Sequence, residues 1–287
     1  MEKQKKIALI NDLSCVGRCS LSVAMPIISA CGFESIPLPT GILSAHTEFD
    51  GYVCEDFTDK LTPFTEHWKN LGVRFDCICT GYLASLEQAE KIKRFLLDFK
   101  KSDTILIVDP VMGDNGRFYS RIDESFISEM RFLCSLADVI LPNVTEAQML
   151  CGDDFTEPPY SHSQISELLM KLSQTGAKRI VVTGIESESH PGQIGCAIYD
   201  AFGGNANLFF SPKTEGNFPG SGDVFAASFA ASFMSGKSFA DSVQIAMGFT
   251  GESVAKTELA GTERRYGLQF ETQIPNLIKA VRKNATS

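Results

Sequence analysis

An α/β domain built on a mostly parallel sheet is the fold class this sequence predicts, and three observations predict it. Short apolar runs at residues 7–10, 75–79, 105–108, 139–141 and 180–182 end in polar or glycine residues. Segments of helical period lie between them, the pattern of parallel strands joined by crossover helices flanking a central sheet. Two later runs, residues 195–199 and 208–211, flank Asp200-Ala201-Phe202-Gly203-Gly204-Asn205 and read as an antiparallel hairpin at a sheet edge. With 287 residues and 44% hydrophobic content, one domain over residues 1–287 is the favoured organisation.

The helices follow in order. Phe57, Leu61, Phe64, Trp68 and Leu71 recur at i+3 and i+4 spacing, as do Leu86, Ala89, Ile92, Leu96 and Phe99. Ile165, Leu168, Leu169 and Leu172 make a third apolar face, read as plain core. From Gly222 the chain turns helical through residues 226–234, 239–256 and 274–282. Pro158-Pro159-Tyr160-Ser161-His162-Ser163 is expected to be a mobile surface loop. There is no internal repeat and no low-complexity tract.

Charge excludes one broad class of partner. The net charge of −9 and the absence of a basic stripe argue against nucleic acid. The nine cysteines are scattered without Cys-x-x-Cys spacing, which fits a reducing cytoplasm. The basic start at residues 1–6 precedes only a short apolar run, so no signal segment is expected, and no stretch is long enough to span a bilayer.

The chemistry is concentrated at the ends of the predicted strands, where open parallel sheets bind ligands. Gly220-Ser221-Gly222-Asp223 opens a small-residue helix. Two glycines allow φ > 0, and the helix adds unpaired amides and the positive end of its dipole, so a phosphate would be stabilised there. Asp223 is then a base beside an anion pocket, or simply an N-cap. Asp109-Pro110-Val111-Met112-Gly113-Asp114 carries two carboxylates on a turn, or is an ordinary solvated turn. Pro142-Asn143-Val144-Thr145-Glu146 has the spacing of a capping-box-like start, a reading compatible with a ligand role. Thr183-Gly184 follows the fifth run. Several acidic groups on one rim would repel one another unless a cation sat among them, and Mg²⁺ favours oxygen ligands alongside nucleotide phosphates. These parts match a phosphoryl-transfer site. No Gly-x-x-x-x-Gly-Lys-Ser/Thr is present, so it is not a P-loop.

Together with Ser44-Ala45-His46-Thr47 and Thr80-Gly81-Tyr82, these motifs resemble the ribokinase superfamily, and within it the vitamin B6 kinases. The resemblance spans nearly the whole chain. It implies a ribokinase-like fold, ATP as co-substrate near Gly220, Ser221 and Gly222, and Asp223 as base for the 5′-hydroxymethyl of pyridoxal, pyridoxamine or pyridoxine. It further implies that Asn143 and Glu146 organise Mg²⁺ through water, with Asp109 and Asp114 near the metal and the ATP phosphates. Thr183 would face those phosphates, and His46, Thr47 and Tyr82 would line the pyridine pocket. A monovalent cation such as K⁺ and a homodimer are implied as well. His46 could instead be a hydrogen-bonded structural histidine, and Tyr82 a core aromatic.

Departures from the family pattern bear on specificity. Asp12, after the first strand, stands where B6 kinases commonly carry a serine touching the pyridine ring. A carboxylate there could favour a substrate ammonium, or merely cap its loop. Ser221 replaces a common threonine, and Val16-Gly17-Arg18-Cys19 lacks the early Gly-Gly of sugar kinases. The alternatives are a hydroxymethylpyrimidine kinase of the same fold, and a non-catalytic ligand-sensing homologue.

Overall fold

A computed structural model describes residues 3–282. In chain order the elements are β1 Lys6–Ser14, α1 Leu21–Ala30, β2 Glu34–Leu43, β3 Cys54–Asp56, α2 Thr58–Asn70, β4 Cys77–Thr80, α3 Leu86–Phe99 and β5 Ile105–Val108. They continue with β6 Gly113–Asp114, β7 Arg117–Phe118, α4 Ser125–Leu136, β8 Val139–Ile140, α5 Val144–Cys151, α6 His162–Ser173 and β9 Arg179–Ile185. The last are β10 Gln193–Asp200, β11 Asn205–Pro212, α7 Ser221–Met234, α8 Phe239–Ala260 and α9 Ile274–Arg282. The chain divides into two compact units.

The first unit holds residues up to 79, 101–104 and from 214 on. Its strands lie in the order β4-β1-β2-β3, with β1 and β2 parallel and β3 antiparallel to β2. β1 runs four residues past the apolar stretch that announces it, so Asp12 lies inside the strand and not after it. The β1–β2 register shifts between Asn11 and Leu13, a local irregularity of the kind that re-aims side chains. Val23 and Ile27 of α1 pack with Val224 and Ala227 of α7, Phe249 of α8, and Leu277 and Val281 of α9. Within α7, Ser228 and Ser232 are fully buried, and their hydroxyls donate to the carbonyls of Val224 at 2.7 Å and Ser228 at 2.8 Å. Serine is tolerated there because its hydroxyl is satisfied one turn back.

The second unit holds residues 80–100 and 105–213. Its strand order is β5-β8-β9-β10-β11, parallel from β5 to β9 and then antiparallel, with β11 outermost. The edge hairpin therefore forms as its sequence predicts. α3 starts at Ser85, whose hydroxyl accepts from the Gln88 N–H at 3.2 Å. Ile92, Phe95 and Leu96 make its buried face.

Residues 158–163, expected to be mobile, are tied down. Tyr160 is buried, its N–H donates to the Glu186 carbonyl and its hydroxyl to the Thr156 carbonyl. Ser161 and Gln164 then form a capping box that starts α6. Pro and Ser here mark a helix entry rather than a free loop.

Candidate active site

In the first unit the site is built around the start of α7. Gly220 is its N-cap at φ 77°. A β-carbon on Gly220 would sit 1.9 Å from the Arg18 carbonyl oxygen, whereas one on Gly222 would meet nothing within 4 Å. Only Gly220 uses the left-handed freedom expected of both glycines. The space over Gly222 leaves the backbone open to a ligand, beside first-turn amides that have no intrahelical carbonyl to bond.

Asp223 lies one residue deeper in the helix than Gly222, and α7 has no side-chain cap, so the N-cap reading of Asp223 falls. Its carboxyl accepts instead from the Asn11 amide at 3.3 Å. Burial is the largest influence on its proton affinity, and the Asp12 charge adds to it, pushing the carboxyl up to about 7. A general base works best with a pKa near the working pH.

Ser20 and Asn11 were not legible as site residues. Ser20 stands at the N-cap of α1 with φ 55° and ψ −130°, and its side chain makes no cap hydrogen bond. A non-glycine residue in that region costs about 1–3 kcal/mol. The Ser20 hydroxyl goes to Asp12 at 2.6 Å, and the Ser14 hydroxyl reaches the other Asp12 oxygen at 2.9 Å. Asp12 is buried, which pushes its carboxyl up, while the two hydroxyls counter that shift.

His46 is buried, and both ring nitrogens have protein partners. Nε2 donates to the Arg265 carbonyl and Nδ1 accepts from the Glu48 N–H at 3.4 Å, which fixes the tautomer. Its ring also meets Phe49 edge-on at 4.9 Å and leaves no room for a side chain at Gly17, where a β-carbon would lie 2.2 Å from Cδ2. Thr47 is exposed in the following turn.

The second unit carries the acidic corner. Asn143 and Glu146 form a full capping box at the start of α5. Glu146 is buried, with Oε1 accepting from the Met112 N–H at 3.1 Å and Oε2 from the Asn143 N–H at 2.9 Å. The Asn143 amide donates to the Gly113 carbonyl at 2.8 Å, drawing the β6–β7 hairpin and Asp114 toward α5. Burial, and then the Asp114 charge, push Glu146 up to about 8, and burial raises Asp114 as well. Thr183 lies inside β9 rather than after it, bridged to Asn143, with its N–H on the Pro142 carbonyl at 2.9 Å. Asp109 follows β5, its N–H on the Thr80 carbonyl at 3.0 Å, and its charge and that of Glu146 both act on the buried Cys134 thiol. Tyr82 is partly buried, its hydroxyl 3.5 Å from the Ser120 carbonyl.

Among the described residues no group of three or more His, Cys, Asp and Glu side chains is set to hold a metal ion directly. The corner nevertheless suits a hard divalent cation bound through water. The repulsion between Glu146 and Asp114 is what a cation would relieve.

Residues 69–266 match the phosphomethylpyrimidine kinase family, well over half of the chain. The chain belongs to that family. Membership makes it a kinase that transfers a phosphoryl group to an alcohol. A pyridoxal kinase from Lactobacillus plantarum is 31% identical with a TM-score of 0.88, covering 96% of this chain and 97% of that one. A Bacteroides thetaiotaomicron protein solved in an orthorhombic form with pyridoxal is 36% identical with a TM-score of 0.90, covering 96% of each chain. The Aquifex aeolicus hydroxymethylpyrimidine/phosphomethylpyrimidine kinase is 28% identical over 237 residues, 80% of this chain and 79% of that protein. The ribokinase-like fold expected from the motifs is thus the fold of this kinase. The family match includes Asp109, Asp114, Asn143, Glu146, Thr183 and Gly220 to Asp223, but begins after Asp12, Ser20 and His46.

Proposed function

We propose that this kinase phosphorylates the 5′-hydroxymethyl of a B6 vitamer from ATP, with Asp223 as general base. The observation that carries the reading is Asp223 itself: a buried carboxyl raised to about 7 and held by the Asn11 amide, at the start of a helix whose first turn is open over Gly222. Asp223 takes the proton of the attacking hydroxyl. The Gly222 amide and the α7 dipole stabilise negative charge on the phosphoryl group, the Ser221 N–H being held at 3.1 Å by the Phe218 carbonyl. In the second unit Asn143, Glu146, Asp109 and Asp114 would hold Mg²⁺ through water, and Thr183 would face the nucleotide phosphates. When bound, that cation neutralises charge on the phosphates.

His46, Thr47 and Tyr82 are proposed to line the vitamer pocket, with His46 contributing its ring rather than a free nitrogen. A monovalent cation such as K⁺, a homodimer, a cytoplasmic setting and a single functional domain over residues 1–287 complete the proposal. No described helix is long and apolar enough to cross a membrane.

Hydroxymethylpyrimidine is the second substrate to consider, because the family name and the Aquifex aeolicus relative both point to it. ATP consumption measured against pyridoxal, pyridoxamine, pyridoxine, hydroxymethylpyrimidine and ribose decides between the two. Turnover with the pyrimidine alone overturns the B6 reading, and binding without turnover leaves a ligand sensor.

A further inference from the structure

We propose that Arg264 is a positioning residue for the phosphate-binding turn. Its guanidinium braces Gly216 and Phe218, so that the backbone leading into Gly220 is held in place before any nucleotide arrives. This rests on the reading of the Gly222 amide and the start of α7 as the phosphoryl site.

Residues 214–220 enter α7 without helix or strand of their own, so what orders them comes from elsewhere. Arg264 opens the short 3₁₀ turn Arg264–Tyr266 that follows α8. Its Nε and Nη2 donate to the two Glu258 oxygens at 2.7 and 3.0 Å, a forked geometry that fixes the plane of the guanidinium and neutralises its charge. That plane is presented to the entry loop. Cζ stands 4.8 Å from the centroid of the Phe218 ring, and Nη1 lies 1.6 Å from where a Gly216 β-carbon would be. Gly216 has φ 117°, so both its backbone and the guanidinium against it require glycine. Phe218 is buried and its carbonyl accepts the Ser221 N–H, which carries the restraint into the first turn of α7. The same 3₁₀ turn grips the loop from its other end. The Tyr266 carbonyl accepts from the Arg18 N–H at 3.1 Å, Gly267 bridges to Arg18, and the Arg18 carbonyl backs onto Gly220. Between the two grips, the Asn217 amide donates to Glu48 at 3.0 Å.

Amide hydrogen exchange on the ligand-free protein reads the brace without turnover. In Arg264→Ala the amides of residues 217–222 should exchange about tenfold faster or more, while the middle of α7 and of α8 keeps its protection. In the same variant kcat/KM for ATP should fall about tenfold or more, as expected when a turn that holds phosphate is misplaced. Arg264→Lys keeps the charge and loses the fork held by Glu258, so it should resemble Arg264→Ala in both readouts. A lysine variant that behaves as wild type overturns the brace in favour of charge. Unchanged exchange in Arg264→Ala overturns it too, even where Tm falls. Should Arg264→Ala fail to fold, Glu258→Ala frees the guanidinium without deleting it, and normal protection of the same amides is then the overturning result. Gly216→Ala should speed exchange more in the wild-type background than in Arg264→Ala, where the colliding guanidinium is gone; equal effects in both overturn the contact. Faster exchange with an unchanged kcat/KM for ATP overturns the positioning role. A fully active Gly222→Ala would then bring down the phosphoryl-site reading as well, whereas an impaired one would leave that reading standing.

Discussion

Gly220 approaches the Arg18 carbonyl so closely that its missing β-carbon would lie 1.9 Å from that oxygen. Gly220→Ala should therefore cost at least about 2–3 kcal/mol, from the left-handed backbone and the clash together. Thermal unfolding reads this directly. An unchanged Tm would mean that the turn can move aside.

Gly222 makes the opposite prediction. Its β-carbon meets open space and it occupies the first turn of α7. Gly222→Ala should leave Tm level or raise it slightly, since alanine is up to about 1 kcal/mol better than glycine in a helix. If the phosphoryl group lies over this backbone, kcat/KM should fall at least about tenfold in the same variant. Full activity would clear Gly222 of any role in binding.

Asp223→Asn should fold and retain most ATP binding, yet lose at least about 10²-fold in kcat, the usual scale of general-base catalysis. Isothermal titration with ATP and a steady-state assay together test this. Near-normal kcat in the folded variant would remove Asp223 from the base role.

The raised affinity of Asp223 for its proton makes activity and stability respond to pH in opposite directions. The base must be ionised, so kcat should rise with pH around a midpoint near 7. The folded state holds this proton more tightly than the unfolded chain, whose carboxyl has its ordinary value of 3.8. The contribution to stability is present below about pH 4 and is lost as pH rises toward 7. The Tm advantage of Asp223→Asn over wild type should therefore grow across that window. A pH-independent difference would show that the carboxyl is not held in its neutral form.

Glu146→Gln tests the acidic corner. Both Glu146 oxygens receive backbone N–H groups, and glutamine can answer only one. The variant should lose about 1–3 kcal/mol of stability and need more Mg²⁺ for half-maximal activity. A lowered Tm with an unchanged Mg²⁺ requirement would leave Glu146 as a capping residue alone.

Helices with an uninterrupted apolar period, such as α3 and α6, were readable because their buried faces are set by spacing alone. α1 and β2 were not. Leu21–Ala30 carries Pro26 and few polar residues, so no amphipathic face stands out. β2 contains Pro37 and Pro39, which argue against a strand until its pairing is known. Both fall two apart on one side of the strand, and β3 pairs only from Gly41 onward. The missing N–H groups thus face the unpaired stretch of β2. At the site, Asp223, Asn143 and Glu146 announced themselves through local motifs. Asn11 reaches Asp223 from far away in sequence, and no local pattern encodes the positive φ of Ser20, whose hydroxyl goes to Asp12.

Asn11 and Asp223 are 212 residues apart in the chain. During synthesis at roughly 5–20 residues per second, β1 emerges about 10–40 s before the start of α7. Throughout that interval the strand carrying Asn11 and Asp12 exists without the helix that completes its surroundings. The base can be assembled only late, by a long loop closure that sits among the slow steps of folding. A substitution that weakens docking of α7 should therefore lower the yield of active enzyme from a cell more than it lowers the activity of each molecule that does fold.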